Sequence, residues 1–245
     1  VYLMPVFLAF VRGHGAFEIG TIMLVTGVAQ LIAAPCVTLL ESHVDARALT
    51  AIGFGLLAAG LAMSAFQPRT ADFAEMLVPQ SVRGIAIMFC LLPPMRIALG
   101  DLPEAEVADA SGLFNLMRNL GGAIGIALID TVLYGRVESY AEGFRVRLLA
   151  RDVTAAQAIG LDPQLLLSQP TGVPDAAAIA YVRPLVEKAS LALCVNEAWA
   201  LLAAIAVIGM VLVLFAREET QTEEMSLVAL EARHPAPRRL DQVGP

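Results

Sequence analysis

At 245 residues the chain has room for one or two domains, yet 58% of its residues are hydrophobic and only 16% are charged. A soluble domain carries about a quarter charged residues, so this composition, with a mean hydropathy of +0.71, excludes an ordinary soluble fold. It implies an all-α polytopic bundle of membrane helices. The net charge of -7 lies largely in loops and tail and forms no basic patch, which argues against a nucleic-acid partner.

Residues 1–11 are apolar but too few to cross a bilayer, where about 20 are needed. They lack an initiator Met, a basic leader region and a cleavage site, so they are not a signal peptide. They read instead as the last part of a helix, and the chain as a fragment of a longer protein. Complete spans are expected at 17–40, 47–67, 73–99, 109–135 and 191–216. Pro35 in the first, and Pro79, Pro93 and Pro94 in the third, are expected to bend their helices without ending them, as membrane helices tolerate. The acidic connector with Asp101, Glu104, Glu106 and Asp109 suits the N-terminus of the helix that follows it, whose dipole favours negative charge. Residues 136–190 form a long loop outside the spans. Within it Val137, Tyr140, Phe144 and Leu148 recur at helical spacing opposite Arg145, Arg147 and Arg151, a pattern expected to lie on the membrane surface. A further helix over 175–190 is expected to break near Pro184. The tail, 217–245, reads as disordered.

The span at 109–135 is mostly apolar yet carries Asn115, Arg118, Asn119 and Asp130. Ser111, Asn115, Arg118, Gly122 and Gly125 share one face by their three- and four-residue spacing. Gly121, Gly122 and Gly125 are expected to pack against another helix, since small residues let backbones approach closely in lipid. Arg118 facing hydrocarbon would cost roughly 2.5–3.5 kcal/mol on insertion scales, so it must look into a bundle or a wet cavity. There it either lines a transport path or gate with Asn115 and Asn119, or ties helices together through backbone carbonyls. Arg83 has the same two readings, helix tie or substrate contact. Asp130 lies about 18 Å along the axis from Arg118, too far to pair with it. It either exchanges protons from a buried position or stays ionised at the outer surface, and Glu197 invites the same pair of readings. Gln30, Gln80 and Asn196 can hydrogen-bond a substrate or a neighbouring helix. Cys36, Cys90 and Cys194 fall in apolar runs at spacings useless for metal or a disulfide framework, and read as free thiols packed among helices. No cofactor or metal is implied. An intramembrane enzyme is disfavoured, because His14, His43 and His234 lie in loops or tail and no nucleophile motif precedes a helix.

Residues 102–136, LPEAEVADASGLFNLMRNLGGAIGIALIDTVLYGR, resemble the signature segment of the fourteen-span drug:proton antiporters, the EmrB/QacA-type branch of the major facilitator superfamily. The matching parts are the acidic L-P-E connector, the A-S pair before the helix, the N-x-x-R pair and the L-G-G-x-I-G that follows. The preceding span, QSVRGIAIMFCLLPP over 80–94, resembles the family's Arg-Gly pair with a following proline. The long loop before the final helix and the Asn-Glu pair near its start also fit, and Asp130 departs from the family's usual apolar or hydroxyl residue. The resemblance covers roughly residues 1–219. It implies the C-terminal six-helix half of a major facilitator fold, with the first helix truncated. The parent would be a bacterial inner-membrane exporter of drugs or other lipophilic molecules, coupled to protons and working by alternating access. It also implies a cytoplasmic tail and an outer loop at 136–190, an N-terminal half as partner and, in some systems, a periplasmic adaptor. The acids usually credited with proton coupling would lie mainly in that N-terminal half. Charge alone runs against this topology: Arg136, Arg145, Arg147, Arg151, Arg183 and Lys188 would sit outside, against one arginine in the inner turn 41–47. Two other readings stand beside drug efflux, a truncated or non-transporting membrane protein and an exporter of lipid or siderophore-like cargo.

Overall fold

The computed structural model describes residues 2–100, 102–168 and 176–215, and the fold below is that of the compact unit Val1–Leu214. Among the described residues every regular element is helical. A short helix α1 (Leu3–Val6) continues as a π-helix over Phe7–Arg12 and stops at Gly13, whose φ of 78° is the left-handed stop that glycine adopts freely. Then follow α2 (Ala16–Leu40), α3 (Ala46–Ser64), α4 (Phe73–Leu99), α5 (Glu104–Leu149), α6 (Val153–Ile159), α7 (Pro163–Ser168) and α8 (Ala176–Phe215). Five of these, α2, α3, α4, α5 and α8, are long and apolar enough to cross a membrane. Each spans with its backbone bonds closed internally, the arrangement that hydrocarbon demands.

Short turns fold α2, α3 and α4 into an antiparallel trio, and glycines set how closely they meet. A Cβ on Gly53 would come within 2.6 Å of the Phe89 Cβ and 2.8 Å of the Phe89 carbonyl carbon, so the α3 backbone lies directly on α4. Gly84 does the same for α4 and α2, where a Cβ would meet the Ala29 Cβ at 2.6 Å and the Thr26 carbonyl oxygen at 2.7 Å. Capping holds the ends. Asp72 accepts from the Phe73 amide, and Glu75 accepts in return from the Asp72 amide, fixing the start of α4. Pro35, Pro79, Pro93 and Pro94 all lie within continuous helix. The main core gathers Leu3, Phe7 and Leu8 from the first element with Ile22, Leu61, Met76, Ile129, Leu133 and Trp199 from five others.

The region 136–190 differs from its expected form. α5 does not stop at the membrane: its 46 residues make about 69 Å of helix, more than twice the roughly 30 Å of bilayer hydrocarbon. α8, at 40 residues, runs about 60 Å. The amphipathic stretch is therefore the helical continuation of a span rather than a separate surface helix. Its apolar face, Ala141, Phe144 and Leu148, is buried against Ala155, Ala156 and Ile159 of α6 and against Val186 and Ala189 of α8. Nor does Pro184 break its helix, because Val182, Leu185 and Val186 pack into the same small core on both sides of it. Four of the cations that ran against the expected topology have acidic partners in this region: Arg136 with Glu197, Arg145 with Glu138 and Glu142, Arg147 with Asp152, and Arg183 with Glu187. The expected tail lies outside the described residues. All three cysteines are free, and Cys36, expected among packed helices, is exposed.

Gly84→Ala is expected to push α2 from α4 and to lower stability by about 1–3 kcal/mol, the usual cost of overpacking. Thermal denaturation in detergent measures it, and an unchanged midpoint would refute the close contact.

Candidate functional site

The candidate residues fall into three groups. The first is buried at the junction of α2, α3, α4 and α8. Arg83 is 8% exposed and Gln80 4%. Both lie in α4, which brings them onto one face by their three-residue spacing. The Arg83 Nη2 donates to the Gln80 Oε1 at 3.1 Å and its Nε to the Pro79 carbonyl at 3.3 Å. The Thr26 hydroxyl of α2 donates to the same Gln80 oxygen at 2.7 Å. On α3 Gly60 leaves room for the arginine stem, since a Cβ there would meet the Arg83 Cγ at 2.7 Å. The guanidinium carbon lies 5.8 Å from the centroid of the Trp199 ring on α8, a cation–π contact. No carboxylate among the described residues comes within ion-pair distance of Arg83.

The second group ties α5 to α8. Glu197 accepts from the Tyr140 hydroxyl and pairs with the Arg136 Nε at 3.0 Å, while the Arg136 guanidinium lies over the Tyr140 ring at 5.7 Å. The hydrogen bond to Glu197 raises the Tyr140 hydroxyl above the ordinary tyrosine range. The adjacent Asn196 amide donates to the Gln67 carbonyl at 2.9 Å. At the same end, Asp72 accepts from Arg12 at 2.8 Å. That bond holds the Asp72 carboxyl below its usual range. His14 lies between Glu18, at 3.0 Å from its Nδ1, and Asp72, at 3.2 Å from its Nε2. The second contact is out of hydrogen-bond alignment.

The third group is the open face of α5. Asn115, Arg118 and Asn119 are exposed, and Asn115 donates only to the Ser111 carbonyl of its own helix. Space for a Cβ at Gly121, Gly122 and Gly125 is empty to 4 Å, so these glycines meet no helix among the described residues. Only 11% of the apolar window of α5 is buried, against 39% for α3. Asp130 accepts from Tyr2 at 3.1 Å and has no cation beside it among the described residues. Gln30 is half-buried on α2 without a side-chain partner among them. The structure thus joins Gln80 with Arg83, sets Glu197 against α5 and Asn196 against Gln67, and leaves Asn115, Arg118 and Asn119 apart from both. Thr26, Trp199, Tyr140, Arg136 and His14 belong to these clusters although their types alone gave no signal. Each acquires its role from a residue more than fifty positions away, apart from the His14–Glu18 and Arg136–Tyr140 contacts within one turn.

Residues 1–126 match the Major Facilitator Superfamily, just over half of the chain. The chain belongs to the major facilitator superfamily. Among curated members of this kind, the colistin resistance protein EmrB of Acinetobacter baumannii is 40% identical over 132 residues, 54% of this chain and 26% of that protein. The probable multidrug resistance protein EmrY of Escherichia coli is 31% identical over 141 residues, 57% of this chain and 27% of its own length. The multidrug export protein EmrB of Escherichia coli is 30% identical over 138 residues, 56% and 27% respectively. The matched stretch of this major facilitator chain therefore spans about a quarter of each of these relatives. The family match ends within α5. It includes Thr26, Gln80, Arg83 and the open face, and stops short of Asp130, Asn196, Glu197, Trp199 and the helical region from Arg136 onward. The chain is a multi-pass membrane protein.

The raised Tyr140 hydroxyl fixes the sign of a pH effect. A group whose pKa is raised by folding contributes stability below its unfolded value, about 10 for tyrosine, and loses it as pH rises through the folded value. Ultraviolet titration is expected to show a late-ionising tyrosinate component that disappears in Tyr140→Phe and moves back toward the ordinary range in Glu197→Gln. Identical titrations for wild type and both variants would sink the tie.

Proposed function

We propose that the chain is the C-terminal transmembrane portion of a proton-coupled exporter of lipophilic small molecules, seated in a bacterial inner membrane and working by alternating access. The observation that carries this reading is the open face of α5. Asn115, Arg118 and Asn119, with the unfilled glycines of the next two turns, form a polar and close-packing surface that none of the described residues covers. An arginine so placed would be costly against lipid, and the matched relatives are proteins about four times the matched length. The face therefore suits the remaining helices of a longer permease, with the transport path between the two halves. Relatives named for multidrug export or resistance supply the substrate class. We read the chain as a transporter component rather than an enzyme.

In this arrangement the tail is cytoplasmic and the helices beyond the membrane stand on the outer side, where a periplasmic adaptor would make contact. Asn115, Arg118 and Asn119 serve as gate or path residues, Arg83 and Gln80 as an inner polar junction, and Asp130 and Glu197 as the acids of this half. The same open face favours one other reading, that this chain by itself does not transport. Lipid or siderophore-like cargo fits the same path.

Efflux from proteoliposomes holding the full-length permease, with and without an imposed pH gradient, tests the proposal. Gradient-driven efflux that falls about tenfold or more on Arg118→Gln or Asp130→Asn, the scale of one lost charged hydrogen bond, is the expected outcome. Efflux indifferent to the gradient would overturn proton coupling. Binding without movement would establish the non-transporting reading.

A further inference from the structure

The junction around Arg83 holds more hydrogen-bond donors than acceptors. A guanidinium has five N–H groups. One is spent on Gln80 and one on Pro79. The Gln80 oxygen that receives the first already accepts from Thr26, while the Gln80 Nε2 is buried with no partner. Turning the amide over would aim its N–H at the guanidinium, donor against donor, so the orientation is set by the charge beside it. Trp199 presents only its ring face, which softens the charge without accepting its remaining N–H groups. Among the described residues, a buried cation without a counter-charge and a buried amide nitrogen without an acceptor lie side by side, each expensive alone. One ligand would satisfy both.

We propose that Thr26, Gln80 and Arg83, over the Trp199 ring, form a binding site for a single carboxylate group. One carboxylate oxygen takes the free guanidinium N–H groups and the other takes the Gln80 Nε2, a charge-assisted arrangement for which arginine geometry is suited. One cation sets the capacity at one negative charge. An apolar groove of about 480 Å³ between α2 and α4 carries Val25 and Ser81 in its wall. These are the chain neighbours of Thr26 and Gln80, so the groove and the site lie on neighbouring faces of the same two helices. Its leucine, valine, isoleucine and phenylalanine side chains suit an apolar body lying alongside the helix pair. The carboxylate comes either from such a small molecule or from an acidic side chain elsewhere in the full-length permease. The site does not depend on the direction or the coupling of transport.

Trp199 is the single tryptophan of the chain and reports on its own neighbour. The experiment titrates the full chain in lipid nanodiscs with benzoate, with benzyl alcohol as the neutral control, and follows tryptophan emission. A saturable change with benzoate alone is expected. It should weaken about tenfold or more in Arg83→Lys, which keeps charge but loses the planar fork, and vanish in Arg83→Gln. Gln80→Glu is the second variant, because it places a carboxylate in the site without removing the packed arginine. Its expected result is a higher melting temperature and no benzoate response. An emission that ignores benzoate in the wild-type chain, or a response retained in Arg83→Gln or Gln80→Glu, overturns the site. Repeating the titration on the full-length permease separates the sources: a response there identifies a small-molecule carboxylate, and its loss there identifies an internal one.

Discussion

The packing of Trp199 is the contact on which the rest of this half-bundle depends. The side chain is 1% exposed and meets Phe7 at 5.8 Å between ring centroids, while Arg83 lies against it from α4. One residue thereby joins the first helical element, the middle of the trio and the last span. The same core takes in Ile129 and Leu133 of α5, the point at which that otherwise open helix is held. In lipid there is no hydrophobic force between helices to replace such contacts, so shape and hydrogen bonding carry association. The indole supplies both shape and a ring face that tolerates a cation.

Helix length governs the other half of the architecture. A membrane sets the apolar length of a span but not the length of the helix that contains it. α5 and α8 use that freedom by continuing past the hydrocarbon and packing on α6. The tie among Arg136, Tyr140 and Glu197 sits where the solvent changes, at the base of this extension. An isolated helical turn there would fray. With Asp152 capping α6 through the Thr154 and Ala155 amides, the extension has its own core and its own ends.

Much of this was legible beforehand. The apolar runs announce five membrane helices because hydropathy measures the cost that the bilayer imposes. The segment from Leu102 onward resembles its family on polar residues whose identity packing does not dictate. Less legible was anything decided between distant segments. The periodicity of Val137, Tyr140, Phe144 and Leu148 correctly marks a helix with one apolar face. Periodicity cannot say whether lipid or protein covers that face, and here α6 and α8 do. Pro184 looked like a breaker because its missing N–H is a local fact, whereas the packing on either side of it is not. Gly121, Gly122 and Gly125 read as contact glycines, and their spacing says nothing about whether the contact lies within this chain. Arg83 stood out by type, but its tryptophan partner, 116 positions later in the chain, had no local signal.

The two classes of glycine in this protein bear on how such a bundle is assembled. Gly53, Gly60 and Gly84 are already closed upon, with neighbours nearer than any Cβ would allow. Contacts that tight fix α2, α3 and α4 relative to one another and leave little room for relative motion, since packed interiors are bistable rather than deformable. Gly121, Gly122 and Gly125 are open, one to two turns beyond Arg118, which has no acidic partner among the described residues. A surface that offers close approach and a charge in the same few turns gains most from a partner that brings both shape and an acceptor. Within one chain, then, glycine placement divides the helices into a rigid trio and a face still to be matched. Under the proposed function, movement of α5 against such a partner would cost fewer contacts than movement inside the trio.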